Sequence, residues 1–477
     1  MKIELFALNG SFAHSNLAVR CLRTALFEAG FSEVGVTEAT LRDRTATTLA
    51  RLVAANAALY GFSCYIWNIR EMLALAADLK AVLPSCHIVL GGPEVSYDTE
   101  RFGALDFVDA VITGEGEGAI VTAAKVLENG GTLPRVLAGE PDEDFEKRGI
   151  HYRVGEPISS LVYYESSRGC PFSCAFCLSS ASHGVRAKSA ERALADLAAF
   201  EALEGQFTVK LVDRTFNFDR ERAKAIWRGL LDKAYTKCYH FEVCAALLDE
   251  ESFEILAALP KGKVQLEIGL QSTNHDTLEA IGRRDDAAKV IAAARRIRAV
   301  GNIHVHLDLI AGLPHEDMAS FATSFDAAYP AADLLQVGFL KLLHGTALRR
   351  DAARYGIICS AEPPYTVLKT ASLSFADLCR LRRLADVVER LCERGRFQSS
   401  LDLLLSRTLS PFAFFDGFGA YVAREDGREL QKIPQRELFS HVAAYGKQLL
   451  APEDGAVFVR LLEADFARFE VRRPPNF

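Results

Sequence analysis

Across the first 130 residues, compact apolar runs alternate with longer segments in which hydrophobic side chains recur every three or four positions. Residues 3–8, 34–38, 58–62, 87–90 and 108–112 are short and aliphatic, which predicts buried strands, whereas 18–28 and 47–58 follow the helical period. Short strands alternating with helices pack as a mostly parallel sheet covered on both faces, a Rossmann-like α/β domain. Ligands of such a sheet gather beyond the C-terminal ends of its strands. That directs attention to four loops: Asn9-Gly10-Ser11, Ser63-Cys64, Gly91-Gly92-Pro93-Glu94 and Thr113-Gly114-Glu115-Gly116-Glu117.

The pattern then breaks. Gly130-Gly131, the acidic Glu140-Pro141-Asp142-Glu143-Asp144 and Gly155-Glu156-Pro157 predict a linker or short bridging hairpin over 131–157. From 158 to 350, strand-like runs at 161–165, 208–212, 240–243, 264–268, 305–310 and 335–339 are separated by helical patterns at 189–203, 221–235, 252–259, 276–281 and 286–300. Six βα units predict an open or partial β/α barrel, with a wide doubly wound sheet as the alternative of equal count. Residues 351–477 are expected to form a mainly helical accessory domain. Leu378, Leu381, Leu384, Val388 and Leu391 share one face of a helix at 373–393, and a shorter helix is expected at 401–409. The aromatic run Pro411-Phe412-Ala413-Phe414-Phe415-Asp416-Gly417-Phe418-Gly419 is expected to interrupt this pattern. Its rings either pack the accessory domain on the barrel or line a substrate channel.

Composition narrows the classes. With 477 residues, 49% of them hydrophobic, the chain can fill two or three cores. A formal net charge of −7 supplies no basic coat for DNA or anionic lipid, although one RNA loop could still be recognised locally. No stretch of 18 apolar residues predicts a membrane span, and the opening MKIELFALNG reads as a strand rather than a secretion signal. Eleven cysteines, an odd number without secretory features, argue against a disulfide framework and for a cytoplasmic protein.

Three of those cysteines are tightly grouped in Arg168-Gly169-Cys170-Pro171-Phe172-Ser173-Cys174-Ala175-Phe176-Cys177, directly after a predicted strand. Thiolates spaced C-x3-C-x2-C can hold three irons of a 4Fe–4S cluster and leave the fourth open to a ligand. A zinc site would need a fourth ligand, for which His183 is the nearest candidate, and three unliganded thiols are the remaining alternative.

Here the sequence resembles the radical S-adenosylmethionine superfamily, with Phe176 in its customary place before the last cysteine. The resemblance implies that Cys170, Cys174 and Cys177 ligate the cluster and that S-adenosylmethionine chelates the open iron and is cleaved to a 5′-deoxyadenosyl radical. Later strand ends carry the same resemblance. Glu267, Gln271 and Ser272 lie in the fourth-strand region that approaches the cofactor; a structural salt bridge is the alternative for Glu267. Gly312 and Leu313, within Asp308-Leu309-Ile310-Ala311-Gly312-Leu313-Pro314-His315-Glu316, resemble the adenine-facing turn, with an ordinary strand-to-helix turn as the alternative. Asp213, Thr215 and Asn217 occupy the second-strand position that contacts the methionyl amine, though they depart from the usual glycine-glycine-glutamate form and could instead cap a helix. Lys341 and His344 follow the sixth strand, where they could bind an anionic substrate, move protons or play ordinary structural roles.

The leading α/β domain is similar to that of cobalamin-binding members of this superfamily, with the resemblance carried by Gly91-Gly92-Pro93 and by Thr113, Gly114, Glu115, Gly116 and Glu117. It implies a corrin lying across the strand ends between the domains, near Asn9, Ser11 and Ser63. No Asp-x-His-x-x-Gly arrangement is present, so binding without a protein histidine as axial ligand is expected. A degenerate domain holding no corrin or another compact ligand is the alternative; neither a clean G-x-G-x-x-G nor a Walker A sequence supports a nucleotide. The accessory segment resembles the C-terminal extension of an incompletely characterised family, DUF4080. The implied activity is cobalamin-dependent radical methylation of an unactivated carbon in a small molecule, peptide or RNA, fed by a low-potential electron donor. Cobalamin-independent rearrangement, cyclisation, oxidation or methylthiolation, and an Fe–S sensor that binds RNA or protein, are the competing readings.

Overall fold

The structure, a computed structural model, describes residues 1–181, 184–392 and 395–470. Strands β1 (Ile3–Asn9), β2 (Val34–Thr40), β3 (Leu59–Ser63), β4 (His87–Gly91), β5 (Ala110–Gly114) and β6 (Val136–Gly139) form one parallel sheet in the order β2-β1-β3-β4-β5-β6. Every residue of β1 is buried because the strand has a core on each side. Its alternation sends Phe6 and Leu8 to the core shared with Leu52, Met72 and Leu75, and Ile3, Leu5 and Ala7 to the core shared with Val19, Leu26 and Ile120. With β1 between β2 and β3, the connections leave in opposite directions and a crevice opens at the strand C-termini.

Strand β6 lies inside the stretch expected to be a linker. Only Leu137 of its four residues is buried, so no periodic signal reveals it; pairing with β5 makes it a strand. The segment that follows is also anchored. Arg20 and Arg23 both grip Glu156, at 2.9 and 2.6 Å, and Ser15 Oγ lies 2.8 Å from the Tyr152 hydroxyl.

A second sheet begins with β7 (Leu161–Tyr164). A short antiparallel pair, β8 (Ser167–Arg168) with β9 (Arg186–Ala187), brackets the cysteine loop. Then β10 (Thr208–Leu211), β11 (Cys238–Val243), β12 (Val264–Gln271), β13 (His304–Ala311) and β14 (Leu334–Phe339) add in succession, all parallel, in the order β7-β10-β11-β12-β13-β14. The strand order never reverses, and β7 and β14 do not pair, so this is a partial barrel rather than a doubly wound sheet. Along β12, Val264, Leu266, Ile268 and Leu270 are buried toward the helices while Gln265, Glu267, Gly269 and Gln271 alternate onto the inner face.

The C-terminal region is mainly helical: Phe375–Cys392, Gln398–Ser406, Pro411–Glu425, Gln435–Leu449 and Pro452–Ala467. The aromatic run is no interruption. Pro411 sits at the first helical turn, where its missing N–H costs nothing, and Ser410 caps the end by accepting from Ala413 N. Phe412 and Phe415 pack on Phe325, with ring centroids 5.8 Å away in each case, which joins this helix to the barrel core. Among the described residues, no helix is long and apolar enough to cross a membrane.

Candidate active site

A cavity of about 1180 Å³ lies between the C-terminal edge of the first sheet and the start of the barrel. It exceeds the range of roughly 300–1,000 Å³ usual for small-molecule pockets, as a large flat ligand requires. Asn9, Ser63, Gly91, Gly92, Pro93, Gly114, Glu115, Gly116 and Glu117 line it from the first domain, and Tyr163, Glu165, Arg168, Gly169 and Arg214 from the barrel. Two other expected contacts stand apart. Ser11 accepts from Ala13 N at 3.3 Å within its own turn, and Thr113 is paired with Ala138 in the sheet; neither lines the cavity.

Glycine is required at two points of this wall. Gly92 has φ +117°, and a Cβ there would stand 2.4 Å from the Cys64 carbonyl oxygen; Gly169 has φ +94°, with the Gly184 carbonyl 2.2 Å from the corresponding position.

Tyr65 and Trp67 escaped the sequence reading. They stack with centroids 4.3 Å apart and line the cavity, Trp67 remaining half exposed. Two aromatic residues directly after Ser63-Cys64 were the available signal. His14 also lines the cavity, with Nδ1 2.7 Å from the Tyr163 hydroxyl.

Where the domains meet, Arg168 donates from Nε to Glu165 (2.7 Å), from Nη1 to Glu115 (2.6 Å) and from Nη2 to Glu117 (2.6 Å); Arg186 also pairs with Glu115. Burial pushes the Glu117 carboxyl up, but the Arg168 guanidinium wins and holds it below the usual carboxylate range. Glu165 moves the other way, because its burial outweighs the same arginine.

Cys170, Cys174 and Cys177 are half-buried and unpaired as disulfides. Their loop is pinned by Cys177 N donating to Cys174 O, Ala175 N to Ile281 O, and Leu348 N to Ala175 O, at 3.0, 2.9 and 2.8 Å. Burial, with the neighbouring Cys177 and Cys170, pushes the Cys174 thiol up to about 11, so the three sulfurs sense one another. Yet no three Cys, His, Asp or Glu groups among the described residues converge as a single-ion site. Zinc would need its ligand atoms within about 4 Å of each other. A cluster takes one thiolate per iron and suits sulfurs spread around a larger core. His183 lies outside the described residues.

The remaining expected contacts divide. Asp213 is fully buried and accepts from Ser166 N (2.9 Å), Ser166 Oγ (2.6 Å) and Ser167 Oγ (2.6 Å). Asn217 is bonded through both side-chain atoms to the backbone of Cys244 at 2.9 Å. Thr215 Oγ1 donates to Arg214 O and sits 3.5 Å from Cys170 Sγ. Ser272 is buried and donates to Glu316 at 2.6 Å, Leu313 is buried in the barrel core, and Phe176 packs against that core. Gly312 turns the chain with φ +92°. Gln271 stands at the end of β12 with φ +69°.

Glu267 does form a salt bridge, to Lys210 Nζ and to His240 Nε2, both at 2.8 Å. It belongs to a polar inner face with Glu242, His306 and Asp308. Burial, then Glu267 and Glu242, raise the Asp308 carboxyl well above the usual range. Of this set only Glu267 was singled out in advance; polar residues at alternate positions of three strands were the signal. Beyond β14, Lys341 is exposed and His344 packs against Tyr365, centroids 4.9 Å apart.

Residues 5–124 match the B12 binding domain family, residues 164–328 the radical SAM superfamily, and residues 353–476 a family described as protein of unknown function, DUF4080. Among characterised proteins, the chain is 27% identical over 297 residues to 2-(S-pantetheinyl)-carbapenam-3-carboxylate methyltransferase of Streptantibioticus cattleyicolor, covering 54% of this chain and 43% of that one. It is 27% identical over 302 residues to the cobalamin-dependent radical SAM methyltransferase TokK of Streptomyces tokunonensis, with the same coverage. The chain thus spans less than half the length of these two relatives. Its fold is similar to that of TsrM from Kitasatospora setae, solved with cobalamin and a 4Fe–4S cluster (TM-score 0.65, 17% identity, 89% of this chain and 99% of that one). It is also similar to OxsB, solved with aqua-cobalamin and S-adenosylmethionine (TM-score 0.65, 14% identity, 100% and 82%).

Proposed function

We propose that this chain, in which a B12 binding domain, a radical SAM domain and a DUF4080 region follow one another, is a cobalamin-dependent radical enzyme that methylates an unactivated carbon. The observation that carries this reading is a juxtaposition. Gly169, the residue before Cys170, lines the same cavity as the glycine turns of the first sheet, so the thiol loop and the space for a corrin share one wall.

The residues fit both groups. Three thiols on a pinned loop supply soft ligands for three irons and leave the fourth without a protein ligand. Gly91, Gly92, Gly114 and Gly116 clear a broad floor, and Tyr65 and Trp67 give it an apolar aromatic edge suited to a flat macrocycle. With the Asp-x-His-x-x-Gly arrangement absent and His14 engaged with Tyr163, the corrin is held without a protein imidazole. When bound, the cluster with S-adenosylmethionine supplies a carbon radical able to abstract hydrogen, and the corrin supplies the methyl group. The chain's own task is alignment and exclusion. Arg168 locks the domain seam beside the thiol loop, and the inner face bearing Lys210, Glu242, Glu267 and His306 orients whatever enters the barrel.

The substrate is a small molecule, peptide or RNA, the electron donor is of low potential, and the setting is cytoplasmic. Anaerobic reconstitution, followed by cobalamin stoichiometry, 5′-deoxyadenosine assay and product mass spectrometry, tests the reading. A product heavier by one CH2 is expected. Full activity without corrin would defeat the methyl-transfer mechanism and favour rearrangement or oxidation.

A further inference from the structure

Three arginines line the cavity: Arg168, Arg186 and Arg214. Two are already neutralised, since Arg168 spans Glu165, Glu115 and Glu117, and Arg186 pairs with Glu115. Arg214 differs. It is exposed into the cavity, and its guanidinium makes no hydrogen bond or ion pair among the described residues. Glu242 lies near enough to feel its charge, but Lys210 holds that carboxylate at 3.7 Å.

The other polar groups of the loop after β10 are committed to the protein itself. Asp213 serves Ser166 and Ser167, Asn217 serves the Cys244 backbone, and the Thr215 hydroxyl donates to the Arg214 carbonyl. Arg214 is therefore the uncommitted charge of this loop. Its place is set by its neighbour, because Thr215 Oγ1 lies 3.5 Å from Cys170 Sγ. The free guanidinium stands beside the thiol loop, where the cavity meets the mouth of the barrel. Its planar fork of donors matches the two oxygens of a carboxylate or phosphate, and partial enclosure strengthens the attraction over that in open water.

We propose that Arg214 is a substrate-recognition residue and that the substrate carries a carboxylate or phosphate which this guanidinium binds at the barrel mouth. The proposal rests on the radical methyl-transfer reading. Two cofactor anions would enter the same space, the methionyl carboxylate and the phosphodiester of the corrin's nucleotide tail, so the experiment separates these sources.

Holoenzyme saturated with S-adenosylmethionine and cobalamin is titrated calorimetrically with inorganic phosphate and with acetate, as wild type, Arg214→Gln and Arg214→Lys. At least one probe is expected to bind the wild type, to bind about tenfold or more weakly to Arg214→Gln, and to recover in part with Arg214→Lys, as loss of a charge-assisted hydrogen bond implies. Affinities for S-adenosylmethionine and cobalamin, measured without either probe, are expected to stay within about twofold of the wild type. Equal anion binding by wild type and Arg214→Gln, or none by the wild type, overturns the proposal. So does a tenfold loss of affinity for either cofactor in Arg214→Gln, because the anion then belongs to that cofactor. The wild type's 5′-deoxyadenosine is read separately: its absence sinks the radical reading, while its presence with an unresponsive anion titration sinks only the role of Arg214.

Discussion

Arg168, two residues ahead of Cys170, donates from Nη2 to the Glu117 carboxylate of the first domain at 2.6 Å, with both side chains largely buried. One ion pair thus ties the TGEGE turn to the start of the thiol loop. Breaking a buried pair from one side leaves a charge with no partner, which costs about 3–5 kcal/mol. Arg168→Gln is expected to lower stability by that order in urea unfolding and to loosen cobalamin retention. Adding Glu117→Gln to it should restore part of the loss, because one stranded carboxylate is removed. Two mutations that simply add would show that the pair has no coupling.

The thiol loop makes a selective demand. Cys170→Ala, Cys174→Ala and Cys177→Ala are each expected to strip the protein of most of its iron and to abolish 5′-deoxyadenosine formation, whereas Cys86→Ala, in the apolar core of the first domain, should keep both. Iron and sulfide analysis with low-temperature electron paramagnetic resonance reads the difference. Four irons retained by any of the three loop variants would contradict the ligand assignment.

Trp67 stacks on Tyr65 at the cavity edge and is half exposed, so its ring contributes little to the core. An aromatic contact of this kind is worth about 0.5–1.5 kcal/mol, which converts to roughly two- to tenfold in affinity. Trp67→Ala should weaken cobalamin binding by that factor while leaving the melting temperature and iron content unchanged. Unaltered corrin affinity would place the ligand elsewhere.

Glu316 is fully buried, accepts from Ser272 Oγ at 2.6 Å, and leaves its second oxygen without a partner. Burial pushes its carboxyl from the ordinary 4.5 up to about 7, against the pull of Ser272 and Ser324. The folded protein therefore keeps a proton that the unfolded chain has already released. Stability associated with this group is full below pH 4.5, falls as the pH rises toward 7 and is flat above it, by on the order of 3 kcal/mol. Glu316→Gln should raise the stability at pH 8 and flatten the profile between pH 5 and 7. An unchanged slope over that interval would show that Glu316 titrates normally.

Strand order, helix placement and the thiol loop were legible in the sequence because each is written in local pattern. Continuous apolar runs such as Leu59–Ser63 must be buried on both faces, and C-x3-C-x2-C keeps its ligands within one loop. Strand β6 was not legible, since its edge position comes from pairing with Ala110–Gly114 rather than from its own four residues. The helix at Pro411–Glu425 was misread because its two interior glycines are outweighed by the burial of Phe412, Phe415 and Phe418, which propensity does not count.

The site divides along the same line. By itself the sequence determined which residue types are available: three thiols, glycine turns, and acids and bases near strand ends. Only the tertiary structure decided how each is used. Asp213, Asn217 and Ser272 satisfy buried hydrogen bonds within the protein, Arg168 is spent on three carboxylates, and Arg214 is left free. The reason is that a charge or hydrogen bond is settled by its nearest partner in space, and those partners lie tens of residues away along the chain.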